Sequence, residues 1–143
     1  MPYRYLDTIA TADAAFEASG ETPEELFTSC ADALMHVMVE NPDSIGTVKS
    51  LDISLDEESP EMLLFGFLEE LVYYKDAEQL LLRVKKITVL PGGDRSLLSA
   101  VLSGETIDPG KHHLLVDVKA VTLHRFRVVR KDGIWKATVV LDI

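Results

Sequence analysis

The residues best suited to chemistry stand at the end of the chain, Val139-Val140-Leu141-Asp142-Ile143. These five read as the last residues of a β-strand, so the Asp142 carboxylate and the main-chain carboxylate of Ile143 would be held together. Two carboxylates at one point repel unless a proton or a cation bridges them. Hard divalent ions such as Ca²⁺ or Mg²⁺ accept all-oxygen ligands, and such a site would need a third carboxylate from elsewhere. A solvated terminus is the plainer reading of the spacing alone. Asp132-Gly133 has the sequence of a two-residue type I′ turn. With that turn, Lys131 pairs with Ile134 and Leu123 falls opposite Asp142. Asp142, Leu123 and Lys119 then face the same way, an expectation that a one-residue slip would destroy.

Other polar residues make weaker candidates. His36 sits among apolar neighbours and reads as a core-edge histidine. His112 and His113 follow Pro109-Gly110 in an expected loop and have no acidic or cysteine partner nearby in sequence, so they are weak ligands. His124 lies on an expected strand and could serve as a general base, but no nucleophile is set beside it. Cys30 belongs to an apolar helical stripe and reads as packing. Gly92-Gly93 is a turn, and no phosphate-binding glycine motif precedes a helix. The chain carries no visible catalytic constellation, which points to a non-enzyme.

The elements that must position these groups are legible in order. Thr22-Pro23-Glu24-Glu25 opens a helix with a capping box. Leu26, Phe27, Cys30, Ala33, Leu34, Val37 and Met38 follow at helical spacing, and Asn41-Pro42 stops the run. Ser59-Pro60 opens a second helix, with Leu63, Leu64, Phe67, Leu68, Leu71 and Val72 on one stripe, ending near Lys75-Asp76. Between them Leu51, Ile53 and Leu55 alternate with polar residues as a half-buried strand. Strands are expected over Leu80–Leu90 and Leu97–Ser103 on either side of Pro91-Gly92-Gly93-Asp94. A long one is expected from Leu114 to Arg130, and a last from Ile134 to the end. Tyr3 to Ser19 reads as a strand or a bent pair. The order predicts an α+β fold in one domain over residues 1–143.

Composition agrees. The 143 residues are 47% hydrophobic and 27% charged, enough to bury a core and too apolar for a disordered chain. Apolar runs such as Met62–Leu68 stop far short of a membrane span. The first residues lack a signal peptide, and one cysteine with no zinc spacing fits a soluble cytoplasmic protein. The net charge of −10 disfavours tight non-specific nucleic-acid binding. Its distribution is uneven: residues 1–80 carry 18 acidic and three basic side chains, residues 81–143 six acidic and 11 basic. Much of that is solvated helix surface, and the remainder suits a field that guides docking onto a charged partner protein.

Taken in order, several segments resemble the archease family. They are Tyr3-Arg4-Tyr5-Leu6-Asp7 with Thr11-Ala12-Asp13; Gly20-Glu21-Thr22-Pro23-Glu24-Glu25-Leu26-Phe27; Ala33-Leu34-Met35-His36-Val37-Met38; and Leu63-Leu64-Phe65-Gly66-Phe67-Leu68-Glu69-Glu70-Leu71. Gly104-Glu105, His112, Val118-Lys119-Ala120-Val121-Thr122 with His124, Trp135-Lys136-Ala137 and Asp142-Ile143 complete the series. The family's opening Asp-His-Thr-Ala-Asp stands here as Ile9-Ala10-Thr11-Ala12-Asp13, with Asp7 displaced upstream, so no histidine role carries over to Ala10.

The resemblance implies a three-layer β/α/β arrangement with two helices between antiparallel β layers. It also implies a non-catalytic protein cofactor of an RtcB-type RNA ligase, which joins tRNA halves. The ligase does the chemistry, using GTP and divalent metal to guanylylate its own histidine, and meets the RNA itself; its partner promotes that step and repeated turnover. A site for a divalent ion, taken to be Ca²⁺, is implied at Asp13, Asp142 and Ile143, with Lys119 important for activation. Asp7, His112 and His124 are weaker candidates. A chaperone-like modulator of an RNA or DNA methyltransferase is the alternative, and a small metal-dependent hydrolase a third reading.

Overall fold

In the computed structural model, which describes residues 2–6 and 13–143, two antiparallel sheets enclose two long helices. The larger sheet has the strand order β1-β2-β7-β6, from β1 (Tyr3–Leu6), β2 (Asp13–Gly20), β6 (Ala120–Lys131) and β7 (Ile134–Asp142). The smaller has the order β3-β5-β4, from β3 (Lys49–Glu57), β4 (Leu80–Leu90) and β5 (Ser96–Thr106). Helices α1 (Pro23–Met38) and α2 (Pro60–Glu78) each pack on both sheets, α1 against β2 and β4, α2 against β6 and β3. A helix so placed must be apolar around most of its circumference. Accordingly α1 buries Leu26, Phe27, Cys30, Ala31, Leu34, Met35 and Met38. Phe27 of α1 stacks on Phe67 of α2 with ring centroids 5.9 Å apart, at the centre of one continuous core.

Local signals fix the helix starts. Thr22 accepts a hydrogen bond from the Glu25 N–H, and Ser59 one from the Met62 N–H. Glu25 reaches back to the Glu21 N–H, one residue beyond the usual reciprocal partner. First-turn glutamates of the two helices also each satisfy one donor on a sheet edge. Glu24 of α1 accepts from the Val89 N–H on edge strand β4, and Glu61 of α2 from the Val128 N–H on edge strand β6. Each helix thereby satisfies backbone donors that would otherwise template another chain.

Several expected boundaries shift. α1 ends at Met38, and Asn41-Pro42 instead opens a short 3₁₀ turn, Pro42–Ser44. α2 runs on to Glu78, where Gln79 takes a left-handed conformation. β5 extends to Thr106 because Gly104 lets β4 approach closely: a Cβ there would lie 1.8 Å from the Leu81 carbonyl oxygen. The strand expected from Leu114 begins only at Ala120. Residues 114–119 cross from α3 (Pro109–His112) as an extended connection, held to Val39 by a single bridge at Leu114.

Candidate functional site

β2 pairs with β7 without interruption from Asp13 opposite Asp142 to Gly20 opposite Trp135. Alternation sends Phe16, Ala18, Ala137 and Val139 into the core, so Asp13 and Asp142 share the outer face. Both are half-buried, and Ile143 follows immediately. Among the described residues no ion pair or side-chain hydrogen bond engages either carboxylate. Like charges directly opposite on neighbouring strands destabilise a sheet. An all-oxygen pair in this setting fits a hard divalent cation, which would remove the repulsion. No trio of His, Cys, Asp or Glu side chains with metal-binding spacing occurs among the described residues, so the two aspartates would need a main-chain or water oxygen to complete a shell. Asp7 lies outside the described residues.

The expected pairing of Leu123 with Asp142 is wrong. The turn itself is as read: Asp132 and Gly133 have φ of 54° and 78°, and Lys131 pairs with Ile134. Pairing holds to Arg127 opposite Thr138, then breaks, and resumes with Thr122 opposite Val140 and Ala120 opposite Asp142. The four residues 123–126 thus face only Val139 on β7. Arg125 takes a left-handed φ of 55°, which turns Phe126 inward against Phe65, ring centroids 5.4 Å apart, and leaves Leu123 and His124 exposed. The core's demand for Phe126 therefore sets the register. The bulge also draws Lys119 to the site: its backbone N–H donates to the Asp142 carbonyl oxygen at 2.8 Å. Lys119 itself is exposed and lies just before β6, not on it.

Lys75 holds this connection and was not singled out from sequence. Its ammonium donates to Asp117 Oδ1 at 2.5 Å and to the Val118 carbonyl at 2.7 Å, with Asp76 also in contact, and the side chain is only 5% exposed. Burial works to lower its pKa, but the hydrogen bonds and charges of Asp117 and Asp76 outweigh that and raise it. A signal was available: Lys75 continues the α2 stripe of Leu64, Leu68 and Leu71, and a charge on a buried stripe needs a partner.

The remaining candidates fall elsewhere. His112 does have an acidic partner, Glu105, which lies seven residues away on the adjoining strand. The buried ring accepts the Asp108 N–H at Nδ1 (2.9 Å), so the Nε2 proton faces Glu105 at 3.0 Å. Glu105 also accepts from Lys111 Nζ and from the Gly46 N–H. Hydrogen bonds from Lys111, then His112, then Gly46 bring the Glu105 pKa down to about 2. Both ring nitrogens of His112 are engaged, so it offers no lone pair to a metal. His124 is exposed in the bulge. Cys30 is fully buried, and burial raises its thiol pKa far above the ordinary range. No helix among the described residues is long and apolar enough to cross a membrane.

Residues 3–143 match the model of the Archease protein family. The chain is 38% identical over 134 residues to "Protein archease" of Pyrococcus furiosus, covering 93% of this chain and 94% of that one. It is 31% identical to "Protein archease" of Methanopyrus kandleri over the full length of both. The solution structure of Methanobacterium thermoautotrophicum protein 1598 superposes with a TM-score of 0.83 at 30% identity, covering 99% of each chain. The crystal structure of a Thermotoga maritima archease, titled a possible chaperone, shares the fold with a TM-score of 0.61 at 19% identity over 96% of each chain.

Proposed function

The chain belongs to the archease family, and from that premise we propose that it is a non-catalytic protein cofactor of an RtcB-type tRNA-splicing RNA ligase. It works in the cytoplasm and promotes guanylylation of the ligase by GTP and its repeated turnover. The observation that carries the reading is the Asp13–Asp142 register, which sets two carboxylates on opposing strand positions with no ion-pair partner among the described residues, while the Lys119 N–H donates to the Asp142 main-chain carbonyl.

Asp13, Asp142 and the Ile143 main-chain carboxylate would hold a hard divalent ion, for which an all-oxygen set is suited and which the family resemblance takes to be Ca²⁺. Bound there, the ion would offset the carboxylates' mutual repulsion and tie β2 to the end of β7. The chain's own residues do the rest. β2 and β7 orient the two aspartates, the 123–126 bulge brings Lys119 to the Asp142 carbonyl, and Lys75 anchors the connection from which Lys119 projects. Lys119, an exposed ammonium on a held backbone, would meet an anionic group of the ligase complex.

The test mixes the protein with the ligase of the same organism, labelled GTP and divalent metal. Ligase guanylylation and multiple-turnover joining are read for wild type, Asp13→Ala, Lys119→Ala and Asp142→Ala. Wild type should stimulate strongly and each variant should lose most of that, by about 10–100-fold, the loss common for residues that support a metal site. Full stimulation by the variants would overturn the site. No stimulation by wild type of a competent ligase would overturn the function and favour the methyltransferase modulator.

A further inference from the structure

Positive charge in this acidic protein is concentrated on one hairpin. Residues 119–142 hold six basic side chains, Lys119, Arg125, Arg127, Arg130, Lys131 and Lys136, against two acidic ones, Asp132 and Asp142, while the whole chain carries −10. All six are exposed. Among the described residues none of the six is in an ion pair, whereas five of the eight basic side chains elsewhere are: Arg4, Lys75, Arg83, Arg95 and Lys111. Arg130 lies over the Trp135 ring at 5.6 Å, and the others are left without a carboxylate partner among the described residues, in a molecule with a large excess of carboxylates.

The register gathers three of them on one surface. Arg127 faces Thr138, Val129 faces Lys136 and Lys131 faces Ile134, so Arg127, Lys131 and Lys136 share the outer face of the β6–β7 ribbon. The one carboxylate in the adjoining row, Glu17, is paired with Arg4 at 3.4 Å. Asp142 lies on this same face, six residues from Lys136 along β7, roughly 20 Å away. Between them Val140 and Ala15 are buried, so the exposed cations are set apart from the half-buried carboxylate pair.

We propose that this basic ribbon face binds the phosphate backbone of RNA directly. Protein–protein interfaces are depleted in lysine and centred on apolar anchors. Interfaces with nucleic acid are more polar and much more positive. The ribbon face fits the second description, with only the half-buried Val129 and Ile134 between its cations. Outside residues 119–142 the chain carries 22 acidic and eight basic side chains, an excess that would disfavour a polyanion there and so orient it. This departs from the expectation that RNA is met only through the ligase. The proposal rests on the ligase reading only for which RNA is bound, and its test needs no ligase.

A fluorescein-labelled tRNA half-molecule is titrated with the protein alone, and binding is followed by anisotropy from low salt upward. Wild type should bind with a steep salt dependence. Arg127→Glu/Lys131→Glu/Lys136→Glu should weaken binding at least tenfold at about 50 mM salt and flatten the log–log salt slope by about two, given roughly 0.7 per phosphate contact. The milder Arg127→Gln/Lys131→Gln should move both in the same direction by less. Lys85→Glu/Lys86→Glu, on the other sheet, should leave both near wild type. Three results would overturn the proposal: no binding by wild type at low salt, equal losses in the β4 control, or unchanged RNA affinity in the triple variant. If the triple variant keeps its RNA affinity but loses capture of the ligase, the face is a protein-docking surface. Because affinity is read without the ligase, its failure leaves the activator reading standing, and the reverse also holds.

Discussion

Glu105 and the Asp13–Asp142 pair are partly shielded carboxylates near strand ends, and their surroundings are opposite. Glu105 has a cation, an imidazole N–H and a backbone N–H directed at it. Asp13 and Asp142 have each other, with no described cation between them. In the first cluster the donors are built into the fold, so the charge stabilises the chain and has nothing left to offer a ligand. In the second no donor from the described residues is directed at either carboxylate, so a bound cation has a charge cost to relieve. A satisfied carboxylate holds structure, and an unsatisfied pair is where a ligand can change the energy most.

Substitutions should separate the two clusters with opposite signs. The largest stability loss is expected for His112→Ala, which removes a buried ring, strands the Asp108 N–H and strips Glu105 of one donor. The cost should be about 3 kcal/mol, or a melting temperature lowered by roughly 10 °C. Ligase stimulation below that temperature should be unchanged. Scanning calorimetry beside the guanylylation assay checks both, and a loss of stimulation in a folded His112→Ala protein would break the comparison.

Next in size is Lys75→Met, which leaves the Val118 carbonyl without its donor at a cost of about 1.5 kcal/mol. It should also reduce stimulation several-fold by loosening the connection before Lys119. The two ends of the pH–stability curve offer a subtler check. Glu105 has a lowered pKa, so its contribution is complete above the ordinary 4.5 and disappears as pH falls toward about 2. Lys75 has a raised one, so its contribution is complete below the ordinary 10.5 and disappears as pH climbs through its higher folded value. Glu105→Gln should flatten the acid limb and leave the alkaline limb alone, and Lys75→Met should do the reverse. Urea titrations across pH read both.

The smallest effect has the opposite sign. In metal-free buffer Asp142→Asn should raise stability by about 0.5 kcal/mol, near 2 °C, because the cross-strand repulsion is gone. With Ca²⁺ added, wild type should gain stability and the variant should not. A variant less stable than wild type without metal would show that Asp142 already has a partner.

Much of the frame was decided by local chemistry and was legible in the sequence. Thr22 and Ser59 cap the helices, Asp132-Gly133 closes the last hairpin, and alternation marks Leu51, Ile53 and Leu55 as half-buried. Each rests on forces acting over three or four residues, which a linear reading contains. The pairing of Asp142 depended on more. Counting back from the turn puts Leu123 opposite it, and that count fails because Phe126 has a place against Phe65 of α2, about sixty residues distant in the chain. Four residues of β6 are displaced to fill that place, and Ala120 and Lys119 slide into the site as a result. Lys75 with Val118, and Glu105 with His112 and Gly46, were likewise joined only when the elements packed, since a buried charge takes whichever partner the folded chain brings within reach. Short-range patterning set the order of the elements, their caps and the carboxylates they would carry. Tertiary structure decided which of those carboxylates received donors and which were left facing each other, because register and burial are settled by the whole core at once.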